Sequence, residues 1–133
     1  MAPNAVVLHV STAMAHLPYV PGYAAYQASK LAAVRVFEHF GVENREKGVR
    51  VVHYHPGLYR TEVGKMTEGL GMPFDEIDLA GAFAVWAASG EADFLDGRFV
   101  WAAWDVDALK GMRGVLEGDR GLFTIGLVGF PGN

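Results

Sequence analysis

The 133-residue chain contains no cysteine. Disulfides and thiolate metal ligands are therefore excluded, and a reducing compartment suits it. Basic residues are few, 11 Lys and Arg against 15 Asp and Glu, for a net charge of −4. That balance carries no electrostatic footprint for nucleic acid or an anionic membrane, and neither partner is expected. Apolar runs are short as well; none approaches the roughly 18 to 20 residues that cross a bilayer. The N-terminus lacks a basic region, and its apolar run breaks at His9, Ser11 and Thr12, unlike a signal peptide. A soluble, cytoplasmic protein is the expectation. Repeats, low-complexity tracts and linkers are absent too, so residues 1–133 are read as one domain, and 51% hydrophobic content is enough to give it a core. No Gly-x-Ser-x-Gly elbow occurs, which disfavours a serine hydrolase.

What is present alternates strand and helix. Residues 5–10 are almost continuously aliphatic and β-branched, the pattern of a parallel strand buried on both faces. Residues 23–47 hold Ala, Leu, Arg and Glu with no interior proline, and Gly48 follows; this predicts a long helix with a glycine stop and a weak point at Gly41. Its apolar residues form two overlapping stripes, one through Leu31, Val34 and Phe37 and the other through Ala33, Val36 and Phe40. One sheet cannot cover both, so the second stripe needs another partner. A second strand is predicted over 49–55, ended by Pro56-Gly57, and the strand-helix-strand order makes a parallel crossover. An irregular stretch over 58–78, a helix over 79–88 and a third strand over 97–103 follow. Asp105 or Asp107 is expected to cap a short helix reaching Leu116, and the apolar tail 122–130 to lie back on the domain.

The residues that carry chemistry cluster around Tyr26 and Lys30. Four residues apart on a helix, their side chains share a face about 6 Å apart. An ammonium beside a phenol favours the phenolate and brings the tyrosine toward a working pKa for acid-base catalysis. Any such pair can also be an inert surface pair, so context decides. Here a strand ending in Ser11-Thr12 precedes the pair, and a strand ending in Pro56-Gly57, with Thr61 four residues beyond the glycine, follows it. His9, His53 and His55 suggest a metal site only weakly, because no carboxylate is spaced to complete it. Structural hydrogen bonds are the expected role for His9 and His53.

In this order and spacing the motifs resemble the short-chain dehydrogenase/reductase family. Leu8-His9-Val10-Ser11-Thr12 is similar to the strand that delivers the family's catalytic serine. Tyr26-Gln27-Ala28-Ser29-Lys30 is similar to its Tyr-x-Ala-Ser-Lys motif, and residues 51–61 to its Arg-Val-Asn-x-x-x-Pro-Gly-x-x-x-Thr segment. Residues 101–106 resemble the last strand and turn of some fungal members. The resemblance implies an α/β fold: the C-terminal half of a Rossmann-like doubly wound sheet, about three parallel strands with flanking helices, with its site at the carboxyl ends of the strands. It implies NAD or NADP as cofactor and a small carbonyl or alcohol substrate. Tyr26 would exchange the proton and Lys30 would hold the nicotinamide ribose. Thr12, with Ser11 as fallback, would orient the substrate oxygen. Pro56, Gly57 and Leu58 would lie against the nicotinamide, and Thr61 would meet its carboxamide or phosphate.

The family's glycine-rich turn, Thr-Gly-x-x-x-Gly-x-Gly, does not occur in this sequence. Residues 1–133 are therefore expected to lack the dinucleotide-binding half, to leave the first strand with an unpaired edge, and to bind cofactor weakly if at all. A homo-oligomer, or pairing with a related chain, would cover the second apolar stripe. Two functions remain: an oxidoreductase, or a catalytic portion of one, and a non-catalytic oligomerisation or binding module built on the same core.

Overall fold

Alternation along three strands decides which side chains meet which helix. The computed structural model describes residues 2–61, 71 and 73–127. Strands β1 (Val6–Val10), β2 (Arg50–His55) and β3 (Phe99–Trp101) lie in the order β1-β2-β3 and are all parallel. Val7 stands opposite Val51, His9 opposite His53, and His53 opposite Phe99. Helix α1 (Ala24–Glu43) connects β1 to β2, and α2 (Ile77–Ala88) precedes β3. Two six-residue helices, α3 (Val106–Gly111) and α4 (Arg113–Gly118), follow.

Even-numbered strand residues point to α2. Leu8, Val52, Tyr54, Val100 and Ala102 gather there with Phe83 and Ala87, and Leu109 and Leu116 of the two short helices join them. Fully burying a side chain such as Leu116 or Val52 is worth about 1.5–3 kcal/mol. Odd-numbered residues point to α1, where the His9 ring lies 4.5 Å from that of Phe37. Gly41 explains how closely this helix approaches: a Cβ there would come within 3.0 Å of Val51 Cγ2. The glycine that reads as a weak point is a contact point against β2. A helix on each face of a parallel sheet is the α/β arrangement expected from the alternation of elements.

Several boundaries differ from expectation, each for a local reason. The first helix stops at Glu43, because Asn44 turns its side-chain Nδ2 back onto the Phe40 carbonyl at 2.9 Å and competes with the helical backbone. A separate 3-10 turn, Arg45–Lys47, leads to Gly48, whose φ of 70° is the left-handed cap. The third strand is only three residues long, since Gly97 turns with φ of 73° and Arg98 is buried to donate to the carbonyls of Leu116, Arg120 and Leu122. Asp105 is the residue that caps α3, its Oδ1 accepting the Ala108 N–H at 2.7 Å. The helix expected to reach Leu116 breaks at Met112 into α3 and α4. Of the apolar tail, Leu122 and Phe123 pack on the main core and Ile125 joins Val34 and Phe99. Residues 128–130 fall outside the described residues.

Two surfaces stay open. On α1, Val34 is 1% exposed while Val36 is 65% and Val42 64% exposed, so the helix has apolar residues on both its covered and uncovered sides. The outer edge of β1 has no strand partner among the described residues. No described helix is long and apolar enough to cross a membrane.

Candidate active site

The carboxyl ends of all three strands open toward the first turns of α1. Ser11 continues β1, its N–H donating to the Tyr54 carbonyl at 2.8 Å. His55 ends β2 and pairs in register with Trp101 of β3, and the Ala102 N–H donates to the His55 carbonyl at 2.9 Å. Ser11, His55 and Trp101 are odd-numbered and therefore share the α1 side of the sheet. Here a cavity of about 390 Å³ opens. Its wall includes Ser11, Thr12, Tyr26, Pro56, Gly57, Leu58 and Thr61. Those are all the site residues singled out from the sequence except Lys30.

Lys30 stands outside that lining, one turn farther along α1, with Nζ 5.6 Å from the centroid of the Tyr26 ring. It is close enough to His9 that its positive charge, after burial itself, helps hold that imidazole below its ordinary pKa. Tyr26 is half-buried, with the Tyr23 ring edge-on at 6.3 Å. Gln27 fixes this end of the helix by donating from Nε2 to the Met14 carbonyl at 3.2 Å, across the 3-10 turn Ala13–Ala15 that follows β1.

Ser11 and Thr12 differ in what they are free to do. Thr12 caps that 3-10 turn, its Oγ1 accepting the Met14 N–H at 3.3 Å. Ser11 Oγ is buried and has no hydrogen-bond partner among the described residues. Buried hydroxyls without a partner are uncommon in folded proteins.

The opposite wall is a clamp around Gly57. The Leu58 N–H donates to Asp75 Oδ2 at 2.8 Å, and the Asp75 N–H donates to the Leu58 carbonyl at 2.8 Å. Tyr59 donates its hydroxyl to the Pro56 carbonyl. Burial, reinforced by the negative charge of Asp75, raises the Tyr59 phenol above its usual pKa and keeps it a donor. Gly57 has φ of 121°, and a Cβ there would stand 2.8 Å from Asp75 Oδ2 and 2.9 Å from the Tyr59 hydroxyl. No other residue type fits that position without displacing the clamp.

Sequence reasoning did not place His55, Asp75, Tyr59 or Trp101 in the site, yet all four line the cavity. Only His55 carried a signal, its position directly before Pro56-Gly57 at a strand end, and that signal was weighed as part of a metal set. The His55 ring stands edge-on to Trp101 at 4.8 Å. Burial lowers its pKa, with His16 acting the same way and Asp75 opposing. His9 and His53 bond to each other, Nδ1 to Nδ1 at 2.9 Å, away from this cavity's wall.

The short chain dehydrogenase family model matches residues 2–69, and the chain belongs to that family. A short chain dehydrogenase/reductase of Claviceps purpurea is 42% identical over 125 residues, covering 92% of this chain and 42% of that protein. One from Aspergillus aculeatus is 41% identical over 123 residues, covering 92% of this chain and 43% of its own length. The chain thus spans less than half the length of these curated relatives. Among solved structures, the short-chain dehydrogenase/reductase from Serratia marcescens superposes with a TM-score of 0.63 at 21% identity, over 76% of this chain and 45% of that one. A 7α-hydroxysteroid dehydrogenase complexed with NADH and 7-oxo glycochenodeoxycholic acid gives 0.61 at 20% identity, over 72% and 42%. These likenesses show the Rossmann-like α/β fold.

Proposed function

We propose that this chain supplies the proton-transfer half of an NAD(P)-dependent oxidoreductase site that interconverts a carbonyl and an alcohol. The observation that carries the reading is the shared cavity: Tyr26 from α1 and Ser11 and Thr12 from the end of β1 line the same space. Tyr26 hands its phenolic proton to the carbonyl oxygen as alcohol forms, and takes one back in the reverse direction. Lys30 stands over the ring of that tyrosine, its Nζ 5.6 Å from the centroid. Ser11 is assigned to orient the substrate oxygen, with Thr12 as the alternative, since the Thr12 Oγ1 accepts the Met14 N–H while its O–H can still donate.

The wall fits the nicotinamide end of a dinucleotide. Pro56 and Leu58 offer apolar contact to a flat ring and Thr61 a hydroxyl for carboxamide or phosphate, while Lys30, one turn beyond the lining, offers an ammonium for a ribose hydroxyl. NAD or NADP, when bound, supplies or accepts the hydride. Nothing in the sequence offers a glycine-rich turn for the pyrophosphate. We therefore read residues 1–133 as the C-terminal half of the family's domain, in keeping with the 42% share of the Claviceps purpurea relative. The open edge of β1 and the exposed Val36 and Val42 of α1 favour association, as a homo-oligomer or with a related chain, and keep a non-catalytic module as the second reading. A cytoplasmic setting accords with the absence of cysteine.

Calorimetry of the chain alone with NADH and NADPH is expected to show weak binding or none; tight binding overturns the half-domain reading. Grafted in place of the matching segment of the Claviceps purpurea relative, the chain is expected to support nicotinamide-dependent carbonyl reduction. Tyr26→Phe then lowers the rate by about 100-fold or more. An unchanged rate removes Tyr26 from the reaction.

A further inference from the structure

The cavity wall is largely apolar and rich in rings, with one exception. Asp75 is the only residue of formal charge among the described residues of that wall, which also holds Tyr23, Tyr26, Tyr59 and Trp101. It is half-buried, and its carboxylate is seated against Gly57 and Leu58: Oδ2 accepts the Leu58 N–H at 2.8 Å and would stand 2.8 Å from a Cβ on Gly57. No cation pairs with it among the described residues. Arg60, close by in the chain, lies instead over the Phe74 ring, 4.7 Å from its centroid. The charge of Asp75 acts on His55 and Tyr59, which line the same cavity and are both neutral near pH 7. A carboxylate beside a low-dielectric space with no counter-ion attracts a cation more strongly than one in bulk water. The faces of aromatic rings attract cations as well.

We propose that Asp75 makes the cavity select by charge: it holds a flat cationic ring in preference to a neutral ring of the same shape, and so the oxidised nicotinamide in preference to the reduced. The inference deepens the reading of Pro56 and Leu58 as the nicotinamide wall and rests on it. Gly57, Leu58 and Asp75 form one unit, in which the reciprocal Leu58–Asp75 bonds of 2.8 Å set the negative charge beside the stretch assigned to meet the ring. Carbonyl reduction creates positive charge on that ring. Hydride leaves the dihydronicotinamide C4 for the carbonyl carbon, Tyr26 supplies the proton to the carbonyl oxygen, and the pyridinium that remains carries one positive charge. Asp75 gains an attraction that is absent before the hydride leaves, so it biases the site toward reduction of the carbonyl.

The test uses the chain itself and two small rings of one shape, the 1-methylnicotinamide cation and its neutral isostere 3-methylbenzamide. Their affinities are read by NMR titration of the indole N–H of Trp101, which shares the wall, and no turnover is followed. The cation is expected to bind about 10-fold more tightly, the effect of one carboxylate a few ångströms from a unit charge at a half-buried site. Asp75→Asn, whose amide oxygen still accepts the Leu58 N–H, brings the ratio close to one. Should that variant not fold, the side-chain carboxyl carbon of Asp75 in the unaltered chain replaces it: its resonance moves with the cation and stays in place with the isostere. Equal affinities in the unaltered chain overturn the charge selectivity and leave the nicotinamide wall standing. A ratio that survives in folded Asp75→Asn, or a carboxyl resonance unmoved by the cation, does the same. Failure of both rings to bind overturns the wall and the selectivity together. An Asp75-dependent ratio beside a grafted Tyr26→Phe enzyme of unchanged turnover supports the selectivity and strikes the proton-transfer reading alone.

Discussion

The imidazoles of His9 and His53 meet Nδ1 to Nδ1 at 2.9 Å across β1 and β2. One must donate and the other accept, so the bond exists only while at least one ring is neutral. Burial, then the neighbouring His9, holds His53 down at about 4, and burial with the charge of Lys30 lowers His9.

A pH dependence of stability follows. Both folded-state pKa values lie below the ordinary histidine value of 6.5, so protonation favours the unfolded chain. The stabilisation is fully present above pH 6.5 and is lost as pH falls toward about 4, where His53 titrates in the folded state. For His53 alone the loss is on the order of 3 kcal/mol. Urea unfolding at pH 7, 5.5 and 4.5 is expected to show a falling midpoint, and His53→Gln to flatten that slope. A midpoint that stays level between pH 7 and 4.5 contradicts the assignment.

Ser11 and Thr12 are predicted to separate stability from activity. Ser11→Ala removes a hydroxyl that has no partner among the described residues, so stability stays within about 0.5 kcal/mol, while turnover of the grafted enzyme falls by about 100-fold. Thr12→Ala removes a cap and costs about 1 kcal/mol, while turnover changes by only a few-fold. Urea midpoints and rates measured on both variants decide the matter, and a reversed pattern would return the substrate oxygen to Thr12.

Much of the fold was legible because strands and turns announce themselves locally. Residues 5–10 and 49–55 carry the β-branched runs, and Pro56-Gly57 marks the end of the second strand. Tyr26 and Lys30 needed their flanking motifs to be noticed at all. The remaining walls of the cavity come from closure of the chain on itself. Asp75 reaches Gly57 through its bonds to Leu58, seventeen residues away in the chain, and Trp101 reaches His55 only through β2-β3 pairing. Neither relation has a period or a spacing to betray it. Asn44 could have been read as a helix competitor, since asparagine disfavours helix interiors, but Gly48 is the stronger stop signal and drew the boundary past it.

Gly57 offers a third prediction. Its φ of 121° suits glycine alone, and a Cβ would crowd Asp75 Oδ2 at 2.8 Å. Gly57→Ala is expected to cost about 1–3 kcal/mol in backbone strain and to release the Leu58–Asp75 bonds. The melting temperature reports the first effect. A fall in turnover of the grafted enzyme reports the second, because Leu58 and Asp75 both line the cavity.

Gly41 bears on the site from the far end of α1. At 1.5 Å per residue it lies about 22 Å from Tyr26 along the helix axis, with the fully buried Val34 roughly midway. A methyl group at position 41 would meet Val51 Cγ2 at 3.0 Å, so one of the two must give by a few tenths of an ångström. The hydrogen atom at residue 41 thus sets how closely the helix that carries the phenol is seated on β2.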